Sequence, residues 1–142
     1  MSLKYRYSVL VALCLMISAC ASPPDTTLYK KLGGESGIEN IVENLVQEIG
    51  QDKQIFHYFA EASVSRFKEN LIEHFCAISD GPCKDTGDNM VDIHTGMNIN
   101  EKDFNHMVDL LINAMDTEGI PHRIQNQLIA RLAPLRKEII YL

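Results

Sequence analysis

The chain has 142 residues, 46% of them apolar, 23% charged and 7% aromatic, with a formal charge of -6. That is one ordinary domain, too apolar for a disordered chain and too acidic for a nucleic-acid surface, which needs clustered Lys and Arg. No apolar run approaches the ~18–20 residues of a membrane-spanning helix, which excludes multi-span transporters, and no internal repeat appears.

The first twenty residues read as an address. Lys4 and Arg6 form a basic start, Val9 to Ile17 are uninterrupted apolar residues, and Ser18, Ala19 and Cys20 follow. Basic, then apolar, then small is the pattern of a secretory signal, and the apolar part is too short to cross a bilayer. The alternative is a buried N-terminal helix. Ile17-Ser18-Ala19-Cys20 resembles a bacterial lipobox. The resemblance implies cleavage after residue 19, lipidation of Cys20, and membrane attachment through that lipid only. Ala21, in place of Asp, favours the outer membrane and its periplasmic face. Loss of residues 1–19 removes Lys4 and Arg6 and no acid, leaving 123 residues with 11 basic and 19 acidic side chains, a charge of -8. A polar, proline-bearing tether over 20–27 leads into a domain over 28–142.

Helices are predicted from there on. Ile38, Ile41, Val42, Leu45, Val46 and Ile49 repeat at helical spacing between Glu35 and Gly50. Ser36 with Glu39 suggests a capping box at its start, and Gly50 a terminator at its end. A short turn with Phe56, Tyr58 and Phe59 precedes a helix from Ser63 bearing Phe67, Leu71, Phe75 and Ile78 on one face. Lys84 to Asn89 reads as a loop. Asn100 with Asp103 resembles the N-terminal cap of a helix carrying Phe104, Met107, Val108, Leu111 and Met115, which Gly119 ends. Pro121 opens the last helix, whose stripe runs Ile124, Leu128, Leu132, Leu135 and Ile139, and Pro134 should kink it. No segment alternates with period two, so the fold class is all-α.

Cys76 and Cys83 remain after Cys14 and Cys20 are assigned to the N-terminal segment. In an oxidising compartment a disulfide is the default. Along a continuous helix their Cα atoms would lie roughly 10.5 Å apart, too far to bridge. Asp80-Gly81-Pro82 should end that helix and let the chain fold back. The eight-residue ring would contribute about 2.5 kcal/mol in the chain-entropy treatment. Two free thiols are the alternative. A zinc pair lacks a second ligand pair.

Among five histidines, His57, His74, His106 and His122 read as ordinary solvated or packed residues. His94 differs. It sits in a short segment, Met90 to Ile99, with apolar residues on both sides, and imidazole is a good ligand for iron.

Five motifs in order now carry a resemblance. They are Leu28-Tyr29-x-x-Leu32-Gly33-Gly34, the pair Tyr58-Phe59, Gly81-Pro82 with Thr86-Gly87, Met90 to Ile99 around His94, and Leu132-Ala133-Pro134-Leu135. From Leu28 to Leu142 the chain resembles the group 1 truncated haemoglobins. The resemblance implies a 2-on-2 helical sandwich around haem b, with His94 as axial iron ligand. It implies Phe59 packed on the haem face, Phe67, Leu71 and Phe75 lining the distal helix, and Met90, Met97, Ile99 and Phe104 on the proximal side and edges. Departures concern the distal pocket. Val46 stands where the family usually has a ligand-binding Tyr, and Leu71 where a Gln often supports it. The usual second glycine pair is reduced to Asp80-Gly81.

A lipid-anchored globin that binds oxygen, NO or CO is the first functional reading. An NO dioxygenase or weak peroxidase, served by a separate reductase, is the second. A non-haem helical envelope lipoprotein is the third, but it has no need of His94 in its setting. A hydrogen-bond donor in a dry pocket strengthens oxygen binding by roughly 1–3 kcal/mol, about ten- to a hundredfold. The aligned distal residues supply none. The ferrous protein should therefore release oxygen fast and oxidise early, with CO and NO less affected. Slow oxygen release in a stopped-flow measurement would contradict this and would mean that Tyr58, His57 or water reaches the ligand.

Overall fold

The computed structural model describes residues 26–142; the proposed signal segment and Cys20 lie outside them. Six α-helices follow in order: α1 Leu28–Lys31, α2 Gly34–Gln51, α3 Val64–Ile78, α4 Met90–His94, α5 Glu101–Thr117 and α6 His122–Leu132. Phe56–Tyr58 and Ala133–Glu138 form 3-10 turns. Among the described residues there is no strand; one isolated parallel bridge joins Ile99 and Ile140. The class is all-α, as the periodicity predicts.

Helix α2 is the spine. Its stripe Ile38, Ile41, Val42, Leu45 and Ile49 is buried, and it packs on both α3 and α5. Its start differs from expectation. Gly33, with φ 96°, is the cap, and Ser36 makes no capping bond. A left-handed residue at this point favours glycine, so the chain enters the helix three residues earlier than a Ser36 cap would allow. Its end differs too. Gly50 stays inside the last turn, and Asp52 stops the helix by accepting hydrogen bonds from the backbone N–H of Gln54 (2.9 Å) and Ile55 (2.8 Å). The carboxylate offers the backbone an alternative to helical bonding.

The cap predicted for α5 is present, and Ser63, read as a helix start, caps α3. Ser63 Oγ accepts from Arg66 N, and Asn100 Oδ1 accepts from Asp103 N at 2.9 Å. Helix α3 is tied down at its far end. The Ser79 hydroxyl, fully buried, donates to Phe75 O at 2.6 Å. Ser79 O accepts from Tyr29 N at 2.7 Å, which fastens α1. Arg131 donates to Ile78 O and Asp80 Oδ2, both at 2.6 Å, which fastens α6. Asp80 takes φ 63°, and the chain turns back through Gly81. A Cβ at Gly81 would lie 2.6 Å from the Tyr29 ring and 2.7 Å from Cys76 O, so only glycine fits. The turn brings Cys76 and Cys83 to a Cα separation of 5.7 Å, and the two are disulfide-bonded.

Pro134 falls in the 3-10 turn after α6, so the last helix changes form there, as proline requires. The C-terminus then returns to the α4–α5 junction. Asn98 N donates to Leu142 O at 2.8 Å, and Tyr141 N to Ile99 O at 2.9 Å. This closure holds the segment that carries His94.

Candidate functional site

A cavity of about 650 Å3 lies between the helices. Its size is within the ~300–1,000 Å3 of small-molecule sites. Nine of the ten residues assigned to a cofactor from the sequence line it: His94, Phe59, Phe67, Leu71, Phe75, Met90, Met97, Ile99 and Phe104. Val46 does not. Leu45 is the lining residue of α2, and Val46 is half-buried beside it. One step along a helix turns the side chain by about 100°, which here carries Val46 away from the wall that Leu45 lines.

The walls are mostly hydrocarbon. Phe59 and Phe67 meet edge to face, centroids 5.0 Å apart at 64°. Ile93 also lines the cavity and is 45% exposed, an apolar surface that an apolar occupant would cover. Arg66 is the one Lys or Arg among the described lining residues. It is 3.9 Å from Asp88, with both side chains mostly in solvent.

His94 is half-buried at the end of α4. Its Nδ1 lies 2.7 Å from Met90 O. A carbonyl can only accept, so Nδ1 carries the proton and Nε2 keeps its lone pair. That is the state in which imidazole binds a metal, with its other nitrogen held by a backbone carbonyl.

His74 is also in the wall. It is 8% exposed, and Nδ1 lies 2.6 Å from Asp85 Oδ2. Its Nε2 is buried with no hydrogen-bond partner among the described residues. One signal could have shown it: His74 is three residues after Leu71 and shares its helix face. Nothing in the sequence places Asp85 nearby; the turn closed by Cys76 and Cys83 does that.

The other histidines lie apart from this wall. His57 is exposed and stacked on Tyr58, with centroids 3.9 Å apart. His122 is exposed beside Asp116. His106 is half-buried rather than solvated, with Nε2 2.6 Å from Asp52 Oδ2.

Tyr58 lines the cavity, but its hydroxyl donates to Asp103 Oδ2 at 2.7 Å. Asp103, 9% exposed, also accepts from Gln54 (2.7 Å) and Asn100 (2.8 Å). These bonds, Tyr58's first, hold its carboxyl below the ordinary carboxylate range against the opposing effect of burial. Burial, then the bond and charge of Asp103, push Tyr58 up to about 12. The His106 hydrogen bond lowers Asp52 likewise.

A helical shell around an apolar cavity, with one anchored imidazole in its wall, is the build of a globin. The chain belongs to the bacterial-like globin family, whose profile matches residues 27–141. It is 29% identical over 113 residues to a group 1 truncated haemoglobin of Mycolicibacterium paratuberculosis, covering 80% of this chain and 83% of that protein. Its fold is similar to the truncated haemoglobin of Tetrahymena pyriformis in its Fe(III) form, with a TM-score of 0.79, 22% identity, and 82% of this chain and all of that one covered. It is similar also to the 2/2 haemoglobin of Synechococcus sp. PCC 7002, with a TM-score of 0.76, 15% identity, and 81% and 98% covered. The architecture is therefore the 2-on-2 sandwich.

A carboxyl depressed in the folded state contributes stability above its unfolded value, and that contribution is lost as pH falls through the folded value. Asp103 and Asp52 are both of this kind. Melting temperature should hold near neutral pH and fall below about pH 4. Asp103→Asn should cost about 1–3 kcal/mol at pH 7 and flatten the acid slope. An unchanged slope in thermal melts of that variant would remove Asp103 from this role.

Proposed function

We propose that this chain is a haem globin that holds haem b in the cavity, with His94 Nε2 on the iron, and takes a diatomic gas on the opposite side. The observation that carries the assignment is the His94–Met90 hydrogen bond, which puts a proton on Nδ1 and leaves Nε2 as the ring nitrogen for a metal, in the wall of an apolar cavity. That donor set fits haem, which brings four nitrogens of its own and needs an axial ligand. Haem held there would supply an iron to which a small gas can bind.

The chain's residues do the rest. Met90 O orients the His94 ring. Phe59, Phe67, Leu71 and Phe75 exclude water from the distal side. Arg66 is the cation available to the carboxylates of the haem edge. Oxygen, NO and CO are the candidate ligands, and the apolar distal side favours those that need no donor. The Cys76–Cys83 bond supports export to an oxidising space, in keeping with a signal at residues 1–19 and a lipid on Cys20. An enzymatic role would need a separate reductase.

Haem titration of the native chain should give a Soret band that shifts on reduction and again with CO. His94→Ala should lose haem affinity and most of that band. A Soret band of unchanged position and strength in His94→Ala would disprove the ligand assignment.

A further inference from the structure

The cavity wall holds a second anchored imidazole. His74 Nδ1 faces the Asp85 carboxylate at 2.6 Å. A carboxylate accepts, so Nδ1 donates, and in the neutral ring Nε2 is an acceptor. That Nε2 has no partner among the described residues, and the residue is more than nine-tenths buried. An unpaired buried polar atom costs about 1–3 kcal/mol, which a protic occupant of the cavity would recover.

The other ionisable groups of this wall are committed elsewhere. The Tyr58 hydroxyl donates to Asp103, and Arg66 and Asp88 are exposed together. His94 is held by Met90 O. Neighbours Phe67 and Leu71 on α3 offer neither donor nor acceptor. Asp85 is held near His74 by the covalent ring, since Cys76 follows His74 by two residues and Cys83 precedes Asp85 by two.

We infer that His74, positioned by Asp85, is a proton acceptor for small protic ligands of the form HX, a class that includes hydrogen cyanide, hydrogen sulfide and hydrogen peroxide. The H–X bond breaks, its proton goes to His74 Nε2, and X⁻ keeps the electron pair with which it binds ferric iron. The imidazolium so formed is balanced by Asp85 and donates Nε2–H back to the anion. This rests on the haem reading above.

The test compares native protein, His74→Leu and Asp85→Asn, each as the haem-loaded full chain. Cyanide association with the ferric form and CO association with the ferrous form are followed by stopped flow. Cyanide association should slow by about a hundredfold or more in His74→Leu, the range of a lost general base. It should slow by roughly tenfold in Asp85→Asn, where the imidazolium loses its charged partner. CO, which carries no proton, should change little in either. Unchanged cyanide rates overturn the proposal, and so does an equal loss for both ligands, which would mean a packing role. A native ferric spectrum with two axial histidines that loses one in His74→Leu also overturns it, by making His74 an iron ligand. No Soret band in native protein would sink the haem reading and this one with it; a Soret band with unchanged cyanide rates sinks this one alone.

Discussion

The two halves of the helical sandwich are held apart by a cavity of about 650 Å3, and the structure depends on what fills it. Closed and dry, such a void would cost on the order of 15 kcal/mol at about 24 cal/mol per Å3, as much as the whole stability of an ordinary domain. Small side chains do not explain the space. Phe59, Phe67, Phe75 and Phe104 all line it. A large planar apolar group with an axial ligand requirement satisfies both the volume and the chemistry.

The surrounding contacts place two imidazoles around that volume by different means. His94 ends a five-residue helix, and its ring is turned by a carbonyl one turn earlier. The C-terminus braces the segment through Ile99 and Asn98. His74 belongs to a long helix fixed at both ends, by Ser63 at one and by Ser79, Arg131 and the disulfide at the other. Its orienting group, Asp85, comes from the loop after the covalent turn. The His94 ring is therefore set by local backbone, and the His74 ring by the covalent turn.

Much of this was legible in the residues. The helical stripe identified the buried face of α2, because burial drives periodicity directly; most of the α3 and α5 stripes are half-buried and line the cavity instead. Asn100 was legible as a cap because it sits just before an apolar run, and Ser63 as a helix start. The starts and stops of α2 were not. Gly33 acts through its φ and Asp52 through a side-chain bond, and neither leaves a periodic trace. Val46 was chosen over Leu45 by alignment of motifs, whereas the side chain in the wall is set by helix rotation. His74 stands one position from the inward-facing Phe75, which made it the candidate for a second histidine on the iron; both are buried, and both line the cavity. Asp85 could not be foreseen, since its position follows from a turn that only the folded chain displays.

The account's central claim is that haem fills this cavity and that the fold depends on it. Thermal unfolding of the full chain, haem-free and with an equivalent of haem, tests that most directly. At a haem concentration a thousandfold above the dissociation constant, binding contributes about 4 kcal/mol, and a domain of this size should then melt some 10 °C or more higher. A haem-free protein that unfolds broadly at low temperature and sharpens on loading is the predicted result. A haem-free protein that melts cooperatively, at a temperature haem does not change, would contradict it.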